Sequence, residues 1–229
     1  MIDWRRGKAW SRRAPVDTIE WVVEQFRTRY FDFTTKHFHE ALRAEAPGFN
    51  LSYTWTKSLL QQRGLIGIAR GRSAHRKKPI RRPLPGMMLF QDGSTHAWLV
   101  GQPDLDLIAT LDDATSEITS MFLVEQEGTA STFRGLAETI AARGLFCAFY
   151  TDRGSHYFWT PKAGEKVDKT RLTQVGRALA ELSITHIPSY SPEGHGRMER
   201  VWGTLQLRLP PVLRLKRIWG TAGADRSHR

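Results

Sequence analysis

The chain has one cysteine, Cys147, in 229 residues. No intramolecular disulfide can form, and no cysteine-based zinc cluster is available. Cys147 lies in the apolar run Leu145-Phe146-Cys147-Ala148-Phe149-Tyr150. It therefore reads as a buried structural thiol rather than a nucleophile. Uninterrupted apolar runs of 18 residues are also lacking, so no stretch reads as a membrane span. The opening residues Met1-Ile2-Asp3-Trp4-Arg5-Arg6 lack the apolar core of a signal peptide. Acidic residues are scarce at the start. Residues 1–86 hold 18 Lys/Arg against 7 Asp/Glu, a net of +11.

The charge then changes sign. Residues 87–206 hold 10 Lys/Arg against 15 Asp/Glu, and residues 207–229 hold 6 against 1. A basic arm binds phosphates by releasing their counterions. An acidic middle repels nucleic acid unless bound cations neutralise it. This asymmetry suits a metal-dependent enzyme acting on DNA; it also suits a protein with an ordinary solvated acidic surface, and charge alone does not separate the two.

Residues 1–16 form a basic irregular segment. From Asp17, with Glu20 three residues on, a capping-box-like start leads into a helix with Ile19, Val22, Val23, Phe26 and Tyr30 on one apolar stripe. Thr35 to Glu45 reads as a second helix, with Phe38, Ala41 and Leu42 inward. Ala46-Pro47-Gly48 breaks it. Ser52 caps a third helix that runs to Arg63, where Gly64 stops it. The region 17–66 is thus either a helix-turn-helix or an ordinary helical hairpin. In the first case the third helix reads DNA, with Tyr53, Thr56, Lys57 and Gln61 as groove contacts. Residues 67–85 form a basic linker: seven of the thirteen residues from 70 to 82 are Lys or Arg. Arg76, Lys77, Lys78, Arg81 and Arg82 are its candidate phosphate contacts, with a merely solvated linker as the alternative.

The core domain is expected over 86–209. Strand 87–92 carries Asp92 to its end, and an extended segment 95–100 follows a turn. Strands 105–111 and 117–124 flank a turn at Asp112-Asp113. Helix 129–143 has Phe133, Leu136, Ala137 and Ile140 apolar. Strand 145–151 delivers Asp152. Helix 169–182 carries Leu172, Val175, Leu179 and Leu182, and strand 184–188 leads to Ser191. A glycine-containing entrance, Gly194 and Gly196, then opens a helix that is firm from about Arg197. Trp202 and Leu205 anchor it in the core, and Leu209-Pro210-Pro211 ends it. Residues 210–229 read as a basic, poorly ordered tail. Gln174 and Arg177 are possible DNA-facing positions.

Two aspartates at strand ends and one glutamate, Glu199, on a helix are a cage suited to hard divalent cations. Each acid taken alone is as well read as a turn or cap residue. Four stretches in order carry more: Gln91-Asp92-Gly93-Ser94-Thr95-His96-Ala97-Trp98, then Leu111-Asp112-Asp113-Ala114-Thr115-Ser116, then Tyr150-Thr151-Asp152-Arg153-Gly154, then Tyr190-Ser191-Pro192-Glu193-Gly194-His195-Gly196-Arg197-Met198-Glu199-Arg200. This succession resembles the integrase catalytic core of DDE transposases, nearest to the ISNCY group of bacterial insertion sequences and more distantly to retroviral integrases. It covers roughly residues 17–209.

The resemblance implies an α/β, ribonuclease H-like integrase core, a mixed sheet flanked by helices, preceded by a small all-α region. It implies that Asp92, Asp152 and Glu199 are the catalytic and metal-ligating acids, holding two Mg²⁺ or Mn²⁺ ions, while Asp112 and Asp113 are structural. It implies DNA cleavage and strand transfer at insertion-sequence ends, that is, transposition by DNA recombination and integration. No Ser/His/Asp set competes with that chemistry. His195, Arg197 and Arg200 become phosphate contacts beside the site, or solvated residues of a loop. The implied partners are double-stranded DNA, as element ends and target, and further copies of the chain in a homo-oligomer; no membrane is implied. The implied setting is the bacterial cytoplasm, at the nucleoid. Relatives in this group extend beyond both ends of the chain, so a shortened, catalytically inactive copy that only binds DNA is the alternative. A two-carboxylate hydrolase of small polar substrates leaves the basic arm unexplained.

Overall fold

A computed structural model describes residues 14–67, 80–162, 165–168, 170–190 and 196–220, and the structural statements below concern these. The chain divides into two compact units, Met1–His75 and Arg76–Arg229.

The first unit holds three helices: α1 (Val16–Thr28), α2 (Thr35–Glu45) and α3 (Tyr53–Gln62). α2 and α3 start where the sequence puts them, because Thr34 and Ser52 each accept the third backbone N–H of the helix that follows. Gly64, at φ 67°, takes the left-handed conformation that closes α3. α1 differs from expectation. Pro15 precedes it, and Asp17 sits inside the first turn rather than capping it. An aromatic cluster fills the unit: Phe38 meets Phe26 edge-on at 5.0 Å, and Tyr30 lies 5.4 Å from Phe38.

The second unit is built on a five-stranded sheet in the order β3-β2-β1-β4-β5. Its strands are β1 (Leu89–His96), β2 (Leu105–Asp112), β3 (Ile118–Val124), β4 (Ala148–Thr151) and β5 (Thr185–Pro188). β1, β2 and β3 pair antiparallel; β4 and β5 join parallel. Three helices cover it: α4 (Thr129–Arg143), α5 (Gln174–Glu181) and α6 (Met198–Leu215). Side chains alternate across a strand, and the two faces separate accordingly. Phe90, Leu107, Ala109 and Leu111 join Met198, Trp202, Leu209 and Leu213 of α6 in one core. Leu89 and Phe149 join Leu136, Val175 and Leu179 of α4 and α5 in another. The interior strand β2 is buried along nearly its whole length because both faces are covered.

Several expectations are corrected. β1 does not stop at Asp92. Asp92, Gly93 and Ser94 pair with Ala109, Ile108 and Leu107 of β2, so the Asp-Gly-Ser stretch is mid-strand. α4 turns Ser131, Thr132, Gly135 and Thr139 inward with Leu136, while Ala137 is exposed. The patch beneath that face is itself polar: Gln91 donates to Thr110, and so does Ser120. α5 is shorter than expected, and Leu172 and Leu182 flank it in solvent. Cys147 is exposed rather than buried.

Pro210 and Pro211 lie inside α6, which runs on to Leu215. Residues 210–215 are therefore helical, not tail. The two missing N–H donors would have reached Gln206 and Leu207. Burial of Leu209, Pro211 and Leu213 on this turn offsets that loss.

Candidate active site

Asp92 and Asp152 each follow, by two residues, the last pair of the parallel β1–β4 contact. Phe90 pairs with Tyr150 across the parallel β1–β4 contact, and the two rings meet edge-on at 5.1 Å on the α6 face. Two residues further along stand Asp92, on that same face, and Asp152, just past the end of β4. Asp152 follows the last residue of β4, is exposed, and accepts the Gly154 N–H at 2.9 Å. That bond curls the loop back at the strand end.

The third acid arrives on α6. Trp202 Nε1 donates to Asp92 Oδ2 at 2.9 Å, which docks the helix on the aspartate. One turn further, Gln206 Nε2 donates to Ser94 Oγ at 3.0 Å. Glu199 precedes Trp202 by three residues and so lies on the neighbouring part of the same helix surface. It is exposed. Three carboxylates are a hard-oxygen donor set of the kind Mg²⁺ and Mn²⁺ take. Among the described residues no three His, Cys, Asp or Glu side chains stand together as a closed ligand group.

Asp112 and Asp113 hold the β2–β3 turn. Asp112 accepts the N–H groups of Gly86, Ala114 and Thr115. Burial alone would raise its carboxyl, but these donors and the Thr115 hydroxyl outweigh burial and hold it below the usual range. Asp113 accepts the Arg82 N–H at 2.6 Å and forms a buried ion pair with Arg197. Arg197 also donates to the Ile80 carbonyl.

That pairing corrects the assignment of Arg197 to DNA phosphate. Its side chain is 8% exposed. Burial lowers its pKa, Asp113 opposes the shift, and Arg81 and Arg200 add to it. Arg81, Arg197 and Arg200 share a groove of about 420 Å³ between α6 and the β2–β3 hairpin, floored by Leu111, Ile118, Val201 and Leu205. Arg81 donates to the Ala114 carbonyl at 2.9 Å, and residues 80–86 run along the hairpin turn rather than standing free. Arg81, Arg82 and Arg200 are exposed. Arg76, Lys77, Lys78 and His195 lie outside the described residues.

On α3 the four expected groove residues divide. Tyr53 is exposed, and Lys57 and Gln61 are half-buried. Thr56 is fully buried: its hydroxyl lies 3.1 Å from His39 Nδ1 and donates to the Ser52 carbonyl. It is a packing residue, because the helix turns that face toward α2.

Two features were not legible in sequence. Trp202 was expected only as a core anchor, and its bond to Asp92 depends on how α6 crosses β1. Glu127, His156 and Tyr157 gather on the opposite face of β1 from Asp92, and no local pattern announces them.

A mixed five-stranded sheet in this order, with helices covering both faces, is the ribonuclease H-like fold of integrase cores. A chain of the simian T-cell lymphotropic virus intasome, solved in complex with the PP2A regulatory subunit B56 gamma, aligns over 85% of this chain and 66% of its own, with a TM-score of 0.51 and 17% identity. That likeness concerns the fold.

In sequence the chain is similar to two proteins named as transposases. It is 34% identical over 215 residues to the Sinorhizobium fredii protein named "Putative transposase y4bF", covering 93% of this chain and 46% of that protein. It is 29% identical over 147 residues to the transposase for insertion sequence IS1202 of Streptococcus pneumoniae, covering 64% of this chain and 31% of that one. The chain thus spans less than half the length of these relatives. No protein-family profile matches it. No helix among the described residues is long and apolar enough to cross a membrane.

Proposed function

We propose that the chain is the catalytic part of an insertion-sequence transposase, cutting DNA at element ends and joining the freed 3′-OH to target DNA. The observation that supports this reading is the parallel pairing of Phe90 with Tyr150, two residues before Asp92 and Asp152, together with the bond from Trp202 of α6 to Asp92.

Asp92, Asp152 and Glu199 are the residues that would hold divalent cations, two Mg²⁺ or Mn²⁺ ions in this reading. When bound, such ions supply Lewis acidity at a scissile phosphate. Trp202 orients Asp92 by donating to Oδ2, and the Gly154 N–H orients Asp152. The exposed Arg81 and Arg200 bind phosphates of the strand entering beside α6. Tyr53, Lys57 and Gln61 contact DNA from the first unit, with α2 and α3 as a helix-turn-helix. Further copies of the chain assemble with it on paired ends, in the bacterial cytoplasm.

The test is cleavage of a labelled duplex carrying the flanking element end, in Mg²⁺ or Mn²⁺, by the wild type beside Asp152→Asn. Nicking by the wild type alone is the expected result. Salt-sensitive binding without nicking by either protein would leave only a DNA-binding function.

A further inference from the structure

The pairing of β1 with β4 ends at Phe90–Tyr150, two residues short of the acids. Both acids lie beyond that ladder. On the opposite face of β1, Glu127 spans that gap.

Its backbone N–H is fixed by Asp106 Oδ2 at 2.7 Å, which anchors the residue to β2. Its carboxylate lies against the strand at Gly93: a Cβ there would come within 2.5 Å of Glu127 Oε2. Glycine beside Asp92 is thus the residue that lets the carboxylate lie so close. From this position Glu127 Oε1 reaches the loop that follows Asp152. The Tyr157 hydroxyl stands 3.3 Å away, and His156 Nε2 is 3.6 Å away. That nitrogen is buried without a hydrogen-bond partner. Tyr157 donates in turn to Gln91 Oε1 at 3.0 Å, a second tie from the loop to β1. Burial, followed by the nearby Glu127 charge, raises the Tyr157 hydroxyl pKa, which keeps it a donor. His156 lies beside Gly154, as Asp152 does. The Cβ position of Gly154 lies 3.0 Å from its Cε1 and 3.1 Å from Asp152 Oδ1.

We propose that Glu127, acting through Tyr157 and His156, is a positioning residue that fixes the distance between Asp92 and Asp152 and so tunes the site's affinity for divalent cations. This rests on the acid-site reading above. Residues behind metal ligands alter affinity because a ligand held at the wrong spacing must reorganise before it binds.

The test is Mn²⁺ binding followed by electron paramagnetic resonance, without DNA, on wild type, Glu127→Gln, Tyr157→Phe and Asp152→Asn, with each thermal midpoint recorded. Glu127→Gln removes the charge but keeps an acceptor. Tyr157→Phe keeps every charge and removes the tie, so it separates positioning from simple electrostatics. Both are expected to bind Mn²⁺ about tenfold more weakly. The half-saturating Mn²⁺ concentration for cleavage should rise with it, while the rate at saturating metal is kept. Affinity within twofold of wild type in both folded variants would overturn the proposal. Equal weakening by Glu127→Gln alone, with Tyr157→Phe unchanged, would also overturn it in favour of a bare charge effect. If even the wild type shows no Mn²⁺ binding that Asp152→Asn removes, the acid-site reading itself fails, and the inference fails with it.

Discussion

Arg197 and Asp113 form a buried ion pair that joins the mouth of α6 to the β2–β3 turn. The pair sits two residues before Glu199, so the helix carrying the third acid is fixed at its root. Removing Arg197 would strand the Asp113 carboxylate in the interior. We predict that Arg197→Ala costs about 3–5 kcal/mol of stability, read as a lower denaturant midpoint. Arg200→Ala, at an exposed position, should leave the midpoint unchanged. It should weaken DNA binding and reduce the salt slope by about 1. Reversed outcomes would return Arg197 to the phosphate-binding role its sequence suggests.

Trp202 donates to Asp92 and also fills the core beneath α6. Trp202→Phe keeps most of the packing and removes the N–H. Cleavage by this variant should fall about tenfold or more, as expected for a partner lost from a metal ligand. Its thermal midpoint should move by only a few degrees. Full activity would show that Asp92 needs no orientation from the helix.

His186 is held neutral by burial, which pushes its pKa down to about 4. Its Nε2 lies 3.1 Å from the Thr151 hydroxyl, and its ring stacks on Phe158 at 3.9 Å. The unfolded chain takes up this proton near pH 6.5, and the folded chain resists it. Stability is therefore full above about pH 6.5 and falls as pH drops toward 4, by roughly 3 kcal/mol in total. Urea midpoints measured across this window should show the decline, and His186→Gln should flatten it. A profile unaltered by that substitution would refute the assignment.

In the first unit, Thr56 and His39 are a buried pair. Thr56→Val should lower the stability of the unit by about 1–2 kcal/mol and leave the affinity of the folded protein for DNA unchanged. Lys57→Ala should do the opposite. Circular dichroism and fluorescence anisotropy at fixed salt separate the two effects.

Elements whose boundaries are set by local chemistry were legible in the chain. α2 follows from the Thr34 cap and α3 from the Ser52 cap and Gly64, and α4 spans the residues its pattern marks out. The strands were legible as apolar runs. The misread points are those where tertiary structure outweighs a local rule. Gly93 looks like a turn residue but is needed for the close approach of Glu127. Pro210 and Pro211 look like a stop, yet core burial carries the helix through them. Arg197 looks like a surface cation because its partner, Asp113, is 84 residues away in sequence. The acids were picked out by their order along the chain, whereas the pairing of Phe90 with Tyr150 two residues before Asp92 and Asp152 is a matter of strand register, which no linear pattern contains.

The proposed function requires Asp92, Asp152 and Glu199 to act as one centre. The most direct measurement is the single-turnover cleavage rate of an element-end duplex in Mn²⁺ by Asp92→Asn, Asp152→Asn and Glu199→Gln. Glu193→Gln serves as the control acid six residues before Glu199. A loss of at least about a hundredfold is expected for each of the three, with a near wild-type rate for Glu193→Gln. Retention of the wild-type rate by any one of the three variants would contradict it.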